Sequence, residues 1–159
     1  MYVTDAIILK KSDYGETGAL FTLYTKEYGK IRALAQGVKK EDAKLKGHLE
    51  PLSLSSVSFV LGKNGERLTH ASLINYWPAL RSDWRKLKLT LEVAGAVDQN
   101  CFPGQKDETL WNVVLDSFHS LEDSDNDFDA GNFLRSFQKR FSTSLGYEEE
   151  WGIIRPWAS

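Results

Sequence analysis

A single cysteine, Cys101, in 159 residues leaves no partner for an internal disulfide and too few thiols for a zinc site built on several cysteines. That usage fits a reducing compartment, and a cytoplasmic location is expected. The three histidines, His48, His70 and His119, are far apart in sequence, so no imidazole cluster for a metal is in view. Four prolines and twelve glycines are too few for a collagen-like or low-complexity chain. No apolar run approaches the roughly 20 residues of a membrane span, and the opening MYVTDAIILKK has neither a basic leader nor a small-residue cleavage site. No membrane association and no targeting segment are therefore expected. A glycine-rich phosphate loop and a nucleophile elbow are also missing, and Cys101 follows an apolar helical pattern instead of a reactive motif. These absences argue against an enzyme and call for no cofactor and no catalytic or metal-ligating residue.

What is present is a globular composition: 42% apolar, 12% aromatic and 26% charged residues, ample for a buried core. The formal net charge of −2 hides an asymmetry. Residues 1–80 hold eleven Lys/Arg against eight Asp/Glu, a balance of +3, and residues 81–159 hold nine against fourteen, a balance of −5. A basic module that meets a polyanion, followed by an acidic module with another task, fits this split.

The basic half reads as five strands. YVTDAIILK and ALFTLYT are rich in β-formers and flank the turn residues SDYGETG. In KIRALAQG, Ile31, Ala33 and Ala35 share one face and Lys30, Arg32, Leu34 and Gln36 the other, a half-buried strand with a cationic outer side. LSLSSVSFVL changes apolar parity after Leu54, which predicts a β-bulge near Ser55, and GKNG then gives a hairpin into ERLTHASLINYW. Five strands with short turns predict a small barrel over residues 1–78.

Beyond Pro78 the period lengthens to 3.6, predicting three helices in a small all-α domain over residues 79–159. Trp84, Leu87, Leu91, Ala94 and Cys101 form the expected apolar stripe of the first. Leu110, Val113, Val114, Phe118 and Leu121 form that of the second, with Asp107 as N-cap. Phe133, Phe137, Phe141 and Leu145 form that of the third, with Gly146 at its C-terminus. YEEEWGIIRPWAS has no clear period. The acidic run EDSDNDFD alternates like a calcium loop, but counted from Asp123 the sixth and twelfth places hold Phe128 and Leu134, where an EF-hand needs Gly and Glu. A solvated connection and a helix N-cap account for it.

The strongest charge feature is QGVKKEDAKLKGHLEP, which carries Lys39, Lys40, Lys44 and Lys46 just after the Lys30/Arg32 strand. Phosphate contacts need only point charges within reach of a backbone, so this arrangement suits binding without sequence readout. Glu41 and Asp42 partly offset the run, and a solvated loop is the plainer reading of composition alone. Tyr14, Phe21, Tyr24, Tyr28 and Tyr76 are candidates to stack on bases or to fill the barrel core.

The order DAIILKKSDYGETGALFTLYTKEYGKIRALAQGVKK, then LKGHLEPLS, then LRSFQKRFSTSLGY, resembles the RecO family of bacterial recombination mediators. The match covers about 145 residues and joins the two halves. The resemblance implies an OB-fold followed by a helical domain. It also implies binding of single- and double-stranded DNA, strand annealing, and loading of RecA together with RecR on DNA coated by single-strand binding protein, near the bacterial nucleoid and with no bond broken. By position, Arg32, Lys39, Lys40, Lys44 and Lys46, beside Lys30, become the DNA-binding candidates. Arg135 matches a basic position that receives the C-terminal tail of single-strand binding protein, with Lys139 and Arg140 beside it. Family members often carry a Cys-rich zinc element and more helices after Leu-Gly-Tyr; this sequence has thirteen residues after Gly146 and no cysteine there, so against the family it reads as a shortened form or a fragment. The rival expectation is a protein-interaction adaptor that keeps the barrel and has lost substantial DNA binding.

Overall fold

The computed structural model describes residues 1–36, 45 and 47–146. Five strands, β1 (Tyr2–Tyr14), β2 (Gly18–Thr25), β3 (Gly29–Ala35), β4 (Leu54–Gly62) and β5 (Gly65–Asn75), close into a barrel in the order β1-β2-β3-β5-β4. All pairings are antiparallel except β3 with β5, a short parallel contact of Ala33 with Glu66 and Leu34 with Arg67. This is the OB-fold architecture, in which closure removes the exposed edges of a five-stranded sheet. Small and large side chains alternate inside: Ala19, Ala33 and Ala35 leave room for Phe21, Leu23 and Phe59, all at most 3% exposed.

The expected bulge appears as a change of register between Leu54 and Ser55, but the extra residue, Ile74, belongs to the partner strand β5. A second irregularity was not foreseen. β1 inserts Leu9 between Ile8, opposite Leu23, and Lys10, opposite Thr22, so the strand reverses its inward and outward parity at that point.

Thr25 organises the β2–β3 turn: its hydroxyl donates to the carbonyl of Gly29 (2.7 Å) and accepts from the amide of Tyr28 (2.9 Å). Gly29 follows with φ +66, a left-handed conformation that a side chain resists. Of the described residues, Cys101–Lys106 form one compact unit with those of Met1–Tyr76, while Trp77–Asn100 and 107–146 form the other.

Among the described residues the helical unit contains four helices instead of three. The additional one is α1 (Pro78–Ser82), a single turn too short to give a periodic signal; α2 (Trp84–Asn100), α3 (Glu108–Asp123) and α4 (Ala130–Ser144) are the expected ones. Trp77 at the N-cap of α1 has φ 59 and provides no side-chain cap. Glu122 of α3 supplies it instead, accepting the amides of Ala79 and Leu80 at 2.9 Å each. Asp107 and Asp129 cap α3 and α4 through the amides of Leu110 (2.9 Å) and Asn132 (3.0 Å).

The buried face of α2 differs from the sequence expectation. Of the expected stripe Ala94 is buried, together with Leu89, Thr90, Val93, Ala96 and Val97, while Trp84 and Leu91 are exposed and Cys101 lies beyond the helix end. The helix carries two apolar stripes, and the one with smaller residues faces inward together with Lys86. The Lys86 ammonium donates to the Ser124 carbonyl at 2.6 Å, placing a cation at the C-terminal end of α3, whose last turn has none of its own. Arg85 donates to the carbonyls of Asn126 (3.0 Å) and Phe128 (2.9 Å) and lies 4.6 Å over the Phe128 ring. The acidic connection between α3 and α4 is thus held through its main chain by the start of α2.

Candidate nucleic-acid interface

Residues directly opposite in paired strands point to the same side of a sheet, so the strand register defines which side chains share the outer surface of the barrel. Lys10 of β1 faces Thr22 of β2, and Thr22 faces Arg32 of β3. One row therefore runs Lys10, Thr22, Arg32, with both cations exposed and the threonine buried between them. The next row runs Ser12, Leu20, Leu34 and Arg67, because Leu34 pairs with Arg67 where the barrel closes. On the other side of Arg32 the row is Ile7, Tyr24 and Lys30. Four cations from three strands, Lys10, Lys30, Arg32 and Arg67, thus share one outer surface, with the apolar Leu20 and Leu34 among them.

Lys30 and Arg32 lie on the outer face, as their alternation with Ile31 and Ala33 requires. Lys39, Lys40, Lys44 and Lys46 lie outside the described residues. Where that stretch rejoins the barrel, His48 Nδ1 accepts the Leu73 amide (3.1 Å), the Ser55 hydroxyl donates to the His48 carbonyl (2.6 Å), and Leu49 is buried in the core. Lys10 and Arg67 were missed. Strict alternation from Ile8 would turn Lys10 inward, and only the Leu9 bulge turns it out; Arg67 reaches this surface through a pairing between strands far apart in sequence.

Among the aromatic candidates, Phe21 and Tyr24 are buried, Tyr14 and Tyr76 are exposed, and Tyr28 packs edge-on against Phe59 and Tyr2. An aromatic ring that the sequence reading passed over, Phe102, is 72% exposed. It sits in the segment after α2, whose next residue, Pro103, makes bridges with Gly29 and Lys30. Gly104 donates its amide to the Lys30 carbonyl at 3.1 Å. The Lys106 ammonium meets Glu27 at 2.7 Å, and this hydrogen bond holds the Glu27 carboxyl below the usual carboxylate range. The pair's contribution is present at neutral pH and is lost as pH falls through that depressed value, and solvent around the half-exposed side chains keeps it small. Lys30, Ile31, Arg32, Glu66, Pro103 and Gly104 line a cleft of about 340 Å³.

On α4, Arg135 and Lys139 are exposed and four residues apart, hence on one side of the helix, opposite the buried Phe137 and Phe141. The Arg135 guanidinium folds back over Gly131, where a Cβ would meet its Nη1 at 3.3 Å. Arg140 points instead to α3, with Nη2 at 3.2 Å from Asp116. The three partner-binding candidates therefore do not converge on one point; two share a stripe and the third is engaged between helices.

The family model described as "Recombination protein O N terminal" matches residues 1–77, which contain all five strands. The DNA repair protein RecO of Pelotomaculum thermopropionicum is 29% identical over 147 residues, covering 92% of this chain and 56% of its own. That of Heliobacterium modesticaldum is 31% identical over 147 residues (92% and 52%), and that of Geobacter metallireducens 29% over 144 residues (87% and 59%). The chain spans a little over half the length of these curated relatives. With its barrel matched by the family model and its helices included in the alignments to these relatives, the chain is similar to RecO proteins over most of its length, and residues 1–77 carry the N-terminal domain of that family.

Proposed function

We propose that this protein is a DNA-binding recombination mediator of DNA repair, in which residues 1–78 bind single- and double-stranded DNA and residues 79–159 dock protein partners. The observation that carries this reading is the shared outer surface of Lys10, Lys30, Arg32 and Arg67 on a five-stranded barrel. Cations at strand spacing on a rigid sheet track a phosphate backbone without reading bases. Lys39, Lys40, Lys44 and Lys46, which follow β3 in sequence, extend the surface in this proposal. Annealing of strands follows from screening phosphate repulsion between them, and RecA loading with RecR and single-strand binding protein follows from the family. Arg135 and Lys139, an exposed cationic stripe along α4, suit the acidic tail of single-strand binding protein, while Arg140 would have to leave Asp116 to join them. No bond-breaking step is assigned.

Fluorescence titration with single-stranded DNA tests the reading. The wild type is expected to bind with a logarithmic salt slope of about −3, the value for four or five neutralised phosphates. The variant with Lys39, Lys40, Lys44 and Lys46 all changed to Ala is expected to bind far more weakly and with a shallower slope. An unchanged affinity in that variant would remove the lysine stretch from the interface.

A further inference from the structure

We propose that Phe102 and the adjoining cleft form a subsite for an unpaired nucleotide, with Lys30 and Arg32 taking a phosphate and the Phe102 ring stacking on the base. The proposal rests on the DNA-binding reading above and specifies which form of DNA the site distinguishes.

The geometry begins with Gly29. Its left-handed backbone leaves no room for a side chain, because the main chain of Gln105 lies where a Cβ would be. That close approach, the bridges from Pro103 to Gly29 and Lys30, and the Gly104–Lys30 hydrogen bond fix the segment beside the start of β3. The resulting cleft of about 340 Å³ falls within the size range of small-molecule sites, roughly 300–1,000 Å³. Two of its lining residues are cations and one, Glu66, is a carboxylate, so it favours an anion.

Phe102 precedes the fixed Pro103 and is 72% exposed, although a phenylalanine gains most from burial. An aromatic held in the open one residue from a cationic cleft matches the two elements of single-strand recognition, a backbone charge and a stacking platform. In a duplex each base is already stacked on its neighbours and paired, so the ring finds no free face. Stacking at Phe102 therefore adds affinity for single strands alone, whereas Lys30 and Arg32 act on both forms. Glu66 opposes both, and Glu66→Gln is expected to tighten both.

The test measures the anisotropy of labelled oligothymidylate and of a duplex of equal length at one salt concentration, with Phe102→Ala, Phe102→Leu, Phe102→Trp and Arg32→Ala. Because Phe102 is exposed, its variants should melt with the wild type. Phe102→Ala and Phe102→Leu are expected to weaken oligothymidylate binding about tenfold and to leave the duplex unchanged, and Phe102→Trp to keep wild-type affinity. Arg32→Ala should weaken both. If Arg32→Ala weakens both while Phe102→Ala changes neither, or changes both equally, the subsite is wrong and the interface stands. If Arg32→Ala changes neither, the underlying reading of this surface fails.

Discussion

Trp77→Ala is expected to destabilise the helical unit by about 3–5 kcal/mol, the range for deleting a large buried aromatic. Trp77 is 1% exposed, packs 5.6 Å from the ring of Phe118 and meets His119 edge-on at 4.8 Å. Its φ of 59 places a bulky residue in the left-handed region, so the alanine variant loses the packing and retains the strained backbone. Trp77→Gly loses the same packing but relieves the backbone, and it should therefore be the more stable of the two by roughly 1 kcal/mol. Urea unfolding followed by circular dichroism measures both. A loss below about 1 kcal/mol in the alanine variant would show that the indole is not a central packing element.

Gly29→Ala is the second large effect, expected at about 2–4 kcal/mol. Part is the cost of a side chain at left-handed φ, about 1–2 kcal/mol. The rest is overpacking, because the new Cβ would lie 2.7 Å from both the amide nitrogen and the carbonyl carbon of Gln105, and backbone cannot swing aside as a side-chain tip can. Gly15→Ala is the control. Gly15 has φ +64 with nothing within 4 Å of the added carbon, so it should show only the conformational share. Equal losses at the two positions would mean that the 103–105 segment yields easily, and the cleft beside Lys30 would then lack a fixed wall.

Local pattern revealed the elements more readily than the surfaces they present. Period-two alternation in KIRALA was enough to place Arg32 outside the barrel, because β3 has no irregularity and its inner residues, Ile31, Ala33 and Ala35, are all apolar. The same rule fails at Lys10, where one inserted residue, Leu9, reverses the parity, and nothing in AIILKK distinguishes a bulged strand from a regular one. Arg67 was invisible for a different reason: its neighbour on the surface is Leu34, reached only when the barrel closes through β3 and β5. In α2 the bulkier stripe of Trp84 and Leu91 stood out in the sequence, yet the buried face includes Lys86 and Thr90, whose polar atoms are satisfied by main-chain carbonyls. α1 depends on Glu122, more than forty residues further along, for its N-terminal cap. Phe102 lay within FPG, a stretch that reads locally as a helix break and gains a neighbour at β3 only in three dimensions.

In the proposed function one outer surface of the barrel, not scattered charge, binds the DNA backbone. Its most direct test is the salt dependence of single-strand affinity for the wild type and for the triple variant Lys10→Ala, Arg32→Ala, Arg67→Ala, whose positions come from three different strands. If the three cations each neutralise a phosphate, the logarithmic slope becomes shallower by about 2 and the affinity falls at every salt concentration. An unchanged slope and affinity in a folded triple variant would contradict the account and favour the adaptor reading, in which the barrel persists without serving DNA.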